Sequence, residues 1–185
     1  IMTQKGPKRL DVFAADGRTL LHSYQTDGTP TGLLADGDKA FVTTFDAVGR
    51  LNRISLRNGQ TEATVVTGSG ACAPLYSPDK AHIYVCNQFQ NTVSEIDPTT
   101  MQVVRTAKVL REPRSAVFSK DGKYLFVANF LPGRRADADY VAASVSVIEM
   151  KGFNKIRDIR LANGSNAVRG ICITPDGKYL YASHN

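Results

Sequence analysis

The stretch Ser119-Lys-Asp-Gly-Lys-Tyr-Leu-Phe-Val-Ala-Asn129 returns as Thr174-Pro-Asp-Gly-Lys-Tyr-Leu-Tyr-Ala-Ser-His184 and, more loosely, as Ser77-Pro-Asp-Lys-Ala-His-Ile-Tyr-Val-Cys-Asn87. The step from Ser77 to Ser119 is 42 residues, and one such step back lands on Ala35-Asp-Gly-Asp-Lys-Ala-Phe-Val-Thr-Thr-Phe45. The step forward to Thr174 is 55, and its excess of 13 falls in Leu131 to Ala143, where the neighbouring unit has almost nothing between its strands. The chain is therefore an array of one repeated unit.

Each unit reads as four short strands. A first apolar run (Ser115 to Phe118; Gly170 to Ile173) meets a Ser-Pro-Asp-Gly turn, in which Pro fixes φ and Gly supplies φ > 0. A second strand rich in aromatic and branched residues follows (Tyr124 to Val127; Tyr179 to Tyr181). The third alternates with period two (Thr92 to Ile96; Ser144 to Ile148), turns at Asp97 to Thr100 or Lys151-Gly152, and hands over to a fourth such as Gln102 to Val109. No stretch carries a 3.6-residue apolar period, so essentially no helix is expected. A repeat in the low forties built of four strands is the signature of a β-propeller blade rather than of a helical solenoid.

The segments Pro113 to Asn129 and Asn91-Thr-Val-Ser-Glu-Ile-Asp-Pro-Thr-Thr100 resemble the YVTN-type β-propeller repeats of bacterial and archaeal proteins, from about Arg9 onward. The resemblance implies an all-β fold of four-stranded antiparallel blades in a ring of seven, and it leans towards export to the periplasm, the cell surface or the medium. It leaves function open, because such propellers include surface-layer-like proteins, lactonase-like enzymes and partners of redox proteins. Residues 8–25 read as the last two strands of a blade, 31–67, 71–110 and 114–162 as full blades, and 168–185 as the first two strands of another. Two arrangements follow: part of a larger ring, whose open sheet edges could drive self-association, or a four-bladed ring closed by its two half-blades.

Apolar residues at 42% and charged residues at 22% fit a globular domain, and no run of 18 apolar residues or signal-peptide pattern occurs. The net charge of +6 is spread through strands and turns without a run of four basic residues, and the aromatics occupy strand positions, which argues against nucleic acid as a partner. Absent motifs remove other classes. Without Trp there is no tryptophan-derived quinone, and no Gly-x-Ser-x-Gly, phosphate-binding Gly loop, His-Glu-x-x-His or Cys-x-x-Cys is present.

If the turn at Ser77 keeps the register of its relatives although Lys80 replaces Gly, Cys72 faces Cys86 across an antiparallel pair, within reach of a disulfide. Two small apolar strand residues are the other reading. Cys172 falls where Leu75 and Val117 stand and is expected in the core.

The same antiparallel logic gathers the start of each first strand and the end of each second strand on one face. That face collects Arg114 and Arg169, then Asn87, Asn129 and His184, and the insertion with Arg134, Arg135, Asp137 and Asp139. Ligand or partner binding is expected there, on a protein or small molecule, with no cofactor evident. The plainer readings are strand-end caps for the asparagines and solvated charges for the arginines. Asp137-x-Asp139 offers only two of the oxygens that a calcium site needs, so no metal ligands are assigned. A lactonase-like hydrolase using Arg114, Arg169 and His184 is the alternative. His22 and His82 read as strand residues.

Overall fold

The structure, a computed structural model, describes residues 2–4, 8–133 and 138–185. Five antiparallel sheets follow one another. The first holds β1 (Met2–Gln4), β2 (Arg9–Phe13) and β3 (Leu20–Gln25). Three four-stranded sheets come next: β4 (Thr29–Asp36), β5 (Lys39–Phe45), β6 (Arg50–Ser55) and β7 (Thr61–Val66); β8 (Ala71–Tyr76), β9 (Ile83–Asn87), β10 (Thr92–Asp97) and β11 (Gln102–Lys108); β12 (Pro113–Phe118), β13 (Tyr124–Asn129), β14 (Ser144–Glu149) and β15 (Asn154–Arg160). The last is a hairpin of β16 (Gly170–Ile173) and β17 (Leu180–Ser183). β1 gives the first sheet a third strand beyond the two expected over residues 8–25. Among the described residues the only helical element is one 3-10 turn, Gln88–Gln90.

The core lies between sheets, not within them. Leu10, Val42 and Ile54 join the first sheet to the second, and Phe41, Leu51, Val85 and Ile96 join the second to the third. Tyr84, Val93, Leu125 and Ile148 join the third to the fourth, and Ala128, Ala143 and Val168 meet Ile171 and Ala182 of the hairpin. Sheets stacked face to face in chain order, with β4, β8, β12 and β16 in contact as consecutive innermost strands, are the architecture of propeller blades.

The turns form as their residues dictate. Ser119 Oγ donates to Asp121 Oδ1 (2.7 Å) and accepts from the Tyr124 N–H (3.0 Å), while the Lys123 N–H donates to the same carboxylate oxygen (3.2 Å). Ser77 with Asp79 and Thr174 with Asp176 repeat the pattern. Gly122 and Gly177 take φ of 69° and 77°, and Lys80, at the same point of its turn, takes 59°. A lysine thus tolerates the left-handed conformation here, its Nζ paired with Asp36 at 2.9 Å, and the register holds. Cys72 is paired with Cys86.

Both are free thiols, so of the two readings the structure shows the pair of unbridged strand residues. The Cys72 Sγ instead lies 3.7 Å from the Pro113 carbonyl in the next blade. Cys172, expected in the core, is exposed. Alternation turns Ile171 and Ala182 towards the fourth sheet and leaves Cys172 on the side of the hairpin that no described residue covers.

Candidate functional site

The innermost strands do not run straight to their ends. β4 is bulged between Pro30 and Gly32, β8 between Cys72 and Leu75, and β12 between Pro113 and Ser115. A bulge leaves a residue without a ladder partner and re-aims its side chain. The residues inside these three bulges include Thr31, Ala73 and Arg114, and all three line one cavity of about 590 Å³. Ala73 adopts a φ of 48°, which a residue with a Cβ holds only where its surroundings impose it. Gly32 permits the close approach of β4 to β8: a Cβ there would come within 2.4 Å of the Pro74 ring.

Phe45 and Phe89 supply the apolar wall, edge to face at 5.5 Å between centroids and 37% and 52% exposed. Phe89 is presented by the 3-10 turn, whose amides at Gln88 and Phe89 donate to the carbonyls of Gly70 and Ser69. Gly70 is required there, since its φ is 76° and a Cβ would meet that of Gln88 at 2.9 Å. Cys72 closes the floor. Burial pushes its thiol up to about 11, against a smaller pull downward from Arg114, so it is protonated at neutral pH. Gln88 is buried and donates through Nε2 to Glu112 at 2.8 Å, which ties the turn to the start of β12.

Arg114 and Arg169 come together, as the repeat alignment expects. Their guanidinium carbons lie 4.8 Å and 5.5 Å from the centroid of one ring, Phe130, and both arginines are exposed. Among the described residues neither has a carboxylate partner. Phe130 is held by its own backbone, its amide donating to Glu112 and its carbonyl accepting from Ala167.

Asn129 is different. It is wholly buried, and its Nδ2 donates to the carbonyls of Val127 and Ser144 and to Ser146 Oγ at 3.0 Å. Ser146 passes the network to Asp158 at 2.7 Å. Asn87 does the same in its blade, donating to Thr92 and to Ser94, which reaches the Thr67 carbonyl of the preceding blade. These asparagines clip strands together, and a ligand cannot touch a side chain with no exposed surface. Asn129 is removed from the candidate site.

His184 is exposed beyond β17, its Nδ1 3.2 Å from the Asn185 carbonyl. Asp139 accepts from Asn163 Nδ2 at its backbone carbonyl (3.4 Å), while Tyr140 donates to the Leu161 carbonyl (2.6 Å). The described part of the insertion therefore packs against the connections that lead into and out of its blade, on the face of Arg114. Arg134, Arg135 and Asp137 lie outside the described residues.

Sequence reasoning missed Thr31, Phe45, Phe89 and Phe130. Bulges leave no local motif, and an exposed phenylalanine at a strand end looks like any strand aromatic. Among the described residues no cluster of three or more His, Cys, Asp or Glu could hold a metal ion, and no helix is long and apolar enough to cross a membrane. What the site presents is cationic, aromatic and hydroxyl surface, suited to holding a ligand.

No model of a known protein family matches the chain. Over 92 residues, half of its length, it is 35% identical to the uncharacterized protein YncE of Salmonella typhi, covering 26% of that protein. To antigen Lp49 of Leptospira interrogans it is 25% identical, over 66% of this chain and 35% of the antigen. The chain thus spans about a quarter to a third of the curated relatives it matches. Among solved structures it superposes on hydrazine synthase of Kuenenia stuttgartiensis with a TM-score of 0.83 at 20% identity, covering 97% of this chain and 50% of the other. A functionally unknown protein of Desulfotomaculum acetoxidans gives 0.71 at 16% identity, over 98% and 57%. At these identities the structural likeness speaks for fold alone, and with the stacked four-stranded sheets it establishes this chain as a β-propeller.

Proposed function

We propose that the chain is the binding scaffold of an exported propeller with YVTN-type repeats, and that it meets its ligand or partner on the face where the innermost strands begin and the 131–143 insertion lies. The observation that carries this reading is the convergence on one cavity of three bulges, one in each of three consecutive innermost strands. They recur at the interval of the repeat, so equivalent positions of successive blades share one space, and the different residues placed there, Thr31, Ala73 and Arg114, give that space its chemistry.

The lining favours binding over bond cleavage. Its described residues are threonines, phenylalanines, Gln88, Ala73, Arg114 and a thiol held protonated, and none of these is a carboxylate or imidazole placed for proton transfer. Export is the expectation that the likeness of the repeats to YVTN-type propellers carries, and fractionation of the native host checks it.

A mixed set of neutral, cationic and anionic fragments, screened by amide chemical shifts on the 185-residue chain, tests the site. Shifts clustered at Thr31, Cys72, Gln88 and Phe89 are expected. Shifts clustered on another surface would move the site there and refute the reading.

A further inference from the structure

We infer that the cavity takes a small organic carboxylate with a flat apolar body, its charge received by Arg114 and Arg169 and its body laid against Phe45 and Phe89. The inference rests on the binding-scaffold reading and adds the chemical class of the ligand.

Two arginines without carboxylate partners among the described residues stand within 5.5 Å of the same ring centroid. Guanidinium groups of like charge gathered on one ring repel each other unless an anion joins them. Phe130 offsets part of that repulsion through its π-face. A guanidinium resting on a ring keeps its in-plane N–H fork free, and that fork matches a carboxylate in bidentate fashion.

Arg114 is also a wall of the cavity, so an anion held by it carries the rest of its molecule inwards. There it meets the edge-to-face pair of Phe45 and Phe89, apolar surface left open to solvent beside a positive charge. A cavity of about 590 Å³ is of the size that encloses a small molecule. Among the described residues the lining includes no lysine and no glycine, which separates it from sites that cradle phosphate on successive backbone N–H groups. The net charge of +6 adds a long-range attraction for anions.

The test is an NMR titration of the 185-residue chain with benzoate, its neutral isostere benzamide and inorganic phosphate. Benzoate should move the signals of Thr31, Cys72, Phe89 and the Arg114 side chain, with benzamide and phosphate each at least tenfold weaker. Arg114→Gln and Arg169→Gln should each weaken benzoate about tenfold while leaving the amide spectrum of the core unchanged. Equal affinity for benzoate and benzamide at the cavity would overturn the carboxylate while leaving the binding site in place. Phosphate binding as tightly as benzoate would reduce the site to a simple anion site and overturn the proposal. So would a benzoate response that survives Arg114→Gln, or no benzoate response at these residues.

Discussion

Arginine is used differently at the two ends of the blades. At the end where the Ser-Pro-Asp-Gly turns lie, Arg105 reaches the buried Glu95 at 2.5 Å and rests on Phe153, and Arg53 bonds Glu62 and the carbonyls of Pro98 and Thr99 in the next blade. At the other end, Arg114 and Arg169 touch a ring and solvent. The first pair closes networks that join one blade to its neighbour, so its charge is already balanced by the fold. The second pair has no carboxylate partner among the described residues, and charge left free in that way suits a binding surface.

The sharpest way to break this comparison is to remove one arginine from each end. Arg105→Ala strands Glu95, 2% exposed, with only the Tyr84 hydroxyl at 2.9 Å and the more distant His82 ring. Leaving a buried charge unpaired costs about 3 kcal/mol. Arg114→Ala, at an exposed site with only a cation–π contact, should change stability by about 0.5 kcal/mol. Urea unfolding of the two variants measures both. Equal losses would mean that Arg114 is as structural as Arg105.

Asn129 sharpens the boundary between scaffold and site. Asn129→Ala removes donors to Ser144 and Ser146 inside the blade and should cost about 2 kcal/mol. Fragment binding at the cavity should not change. A variant that kept full stability and lost binding would return Asn129 to the site.

The sequence displayed the blades because a 42-residue repeat with fixed turn chemistry survives point changes, down to Lys80 holding a glycine's conformation. It also displayed which end of each strand meets which face, and hence that Arg114 and Arg169 would share one face. Three things lay beyond it. Whether a strand-end asparagine points outward or into a buried clip depends on Ser94 and Ser146 across the sheet. A bulge shifts one strand against its partner without altering either pattern, so Thr31 and Ala73 read as ordinary ladder residues. Exposure of Cys172 depends on what covers the hairpin, which no local pattern encodes.

The thiols differ in the same graded way. In the native chain Cys172 should react with a thiol reagent at once, while Cys72, its thiol raised to about 11, and the fully buried Cys86 react only on unfolding. One fast thiol in the native state and three in denaturant is the expected count by mass. One in both states would show that Cys72 and Cys86 are bridged in the protein as isolated.

Acid weakens the turns. Asp79, Asp121 and Asp176 have carboxyls held below the ordinary value of 3.8, first by the Ser77, Ser119 and Thr174 hydroxyls and then by backbone N–H groups. The unfolded chain therefore binds more protons in that range. Their contribution is complete above about pH 4 and is lost as pH falls through the folded values. Melting temperature should be level down to that pH and decline below it, and Ser119→Ala should make the decline shallower, because it brings the folded value of Asp121 closer to the unfolded one.

The smallest effect belongs to the insertion. Tyr140 is 37% exposed, and its hydroxyl donates to the Leu161 carbonyl at 2.6 Å, beside the bond from the Val141 amide to Asn163 Oδ1. Because water can replace the phenol at an exposed carbonyl, Tyr140→Phe should cost about 0.5 kcal/mol in global stability. Its consequence should be local. The Val141 and Gly164 amides, the latter bonded to the Val141 carbonyl, should exchange faster, while amides of β13 and β14 keep their protection. Exchange is the measurement that separates the two ends: a loop fastened by a few exposed bonds opens on its own, whereas the blade beneath it opens only with the whole sheet. If β14 lost protection together with Val141, the insertion would be part of the blade's cooperative unit, and the mouth would be as rigid as the turns.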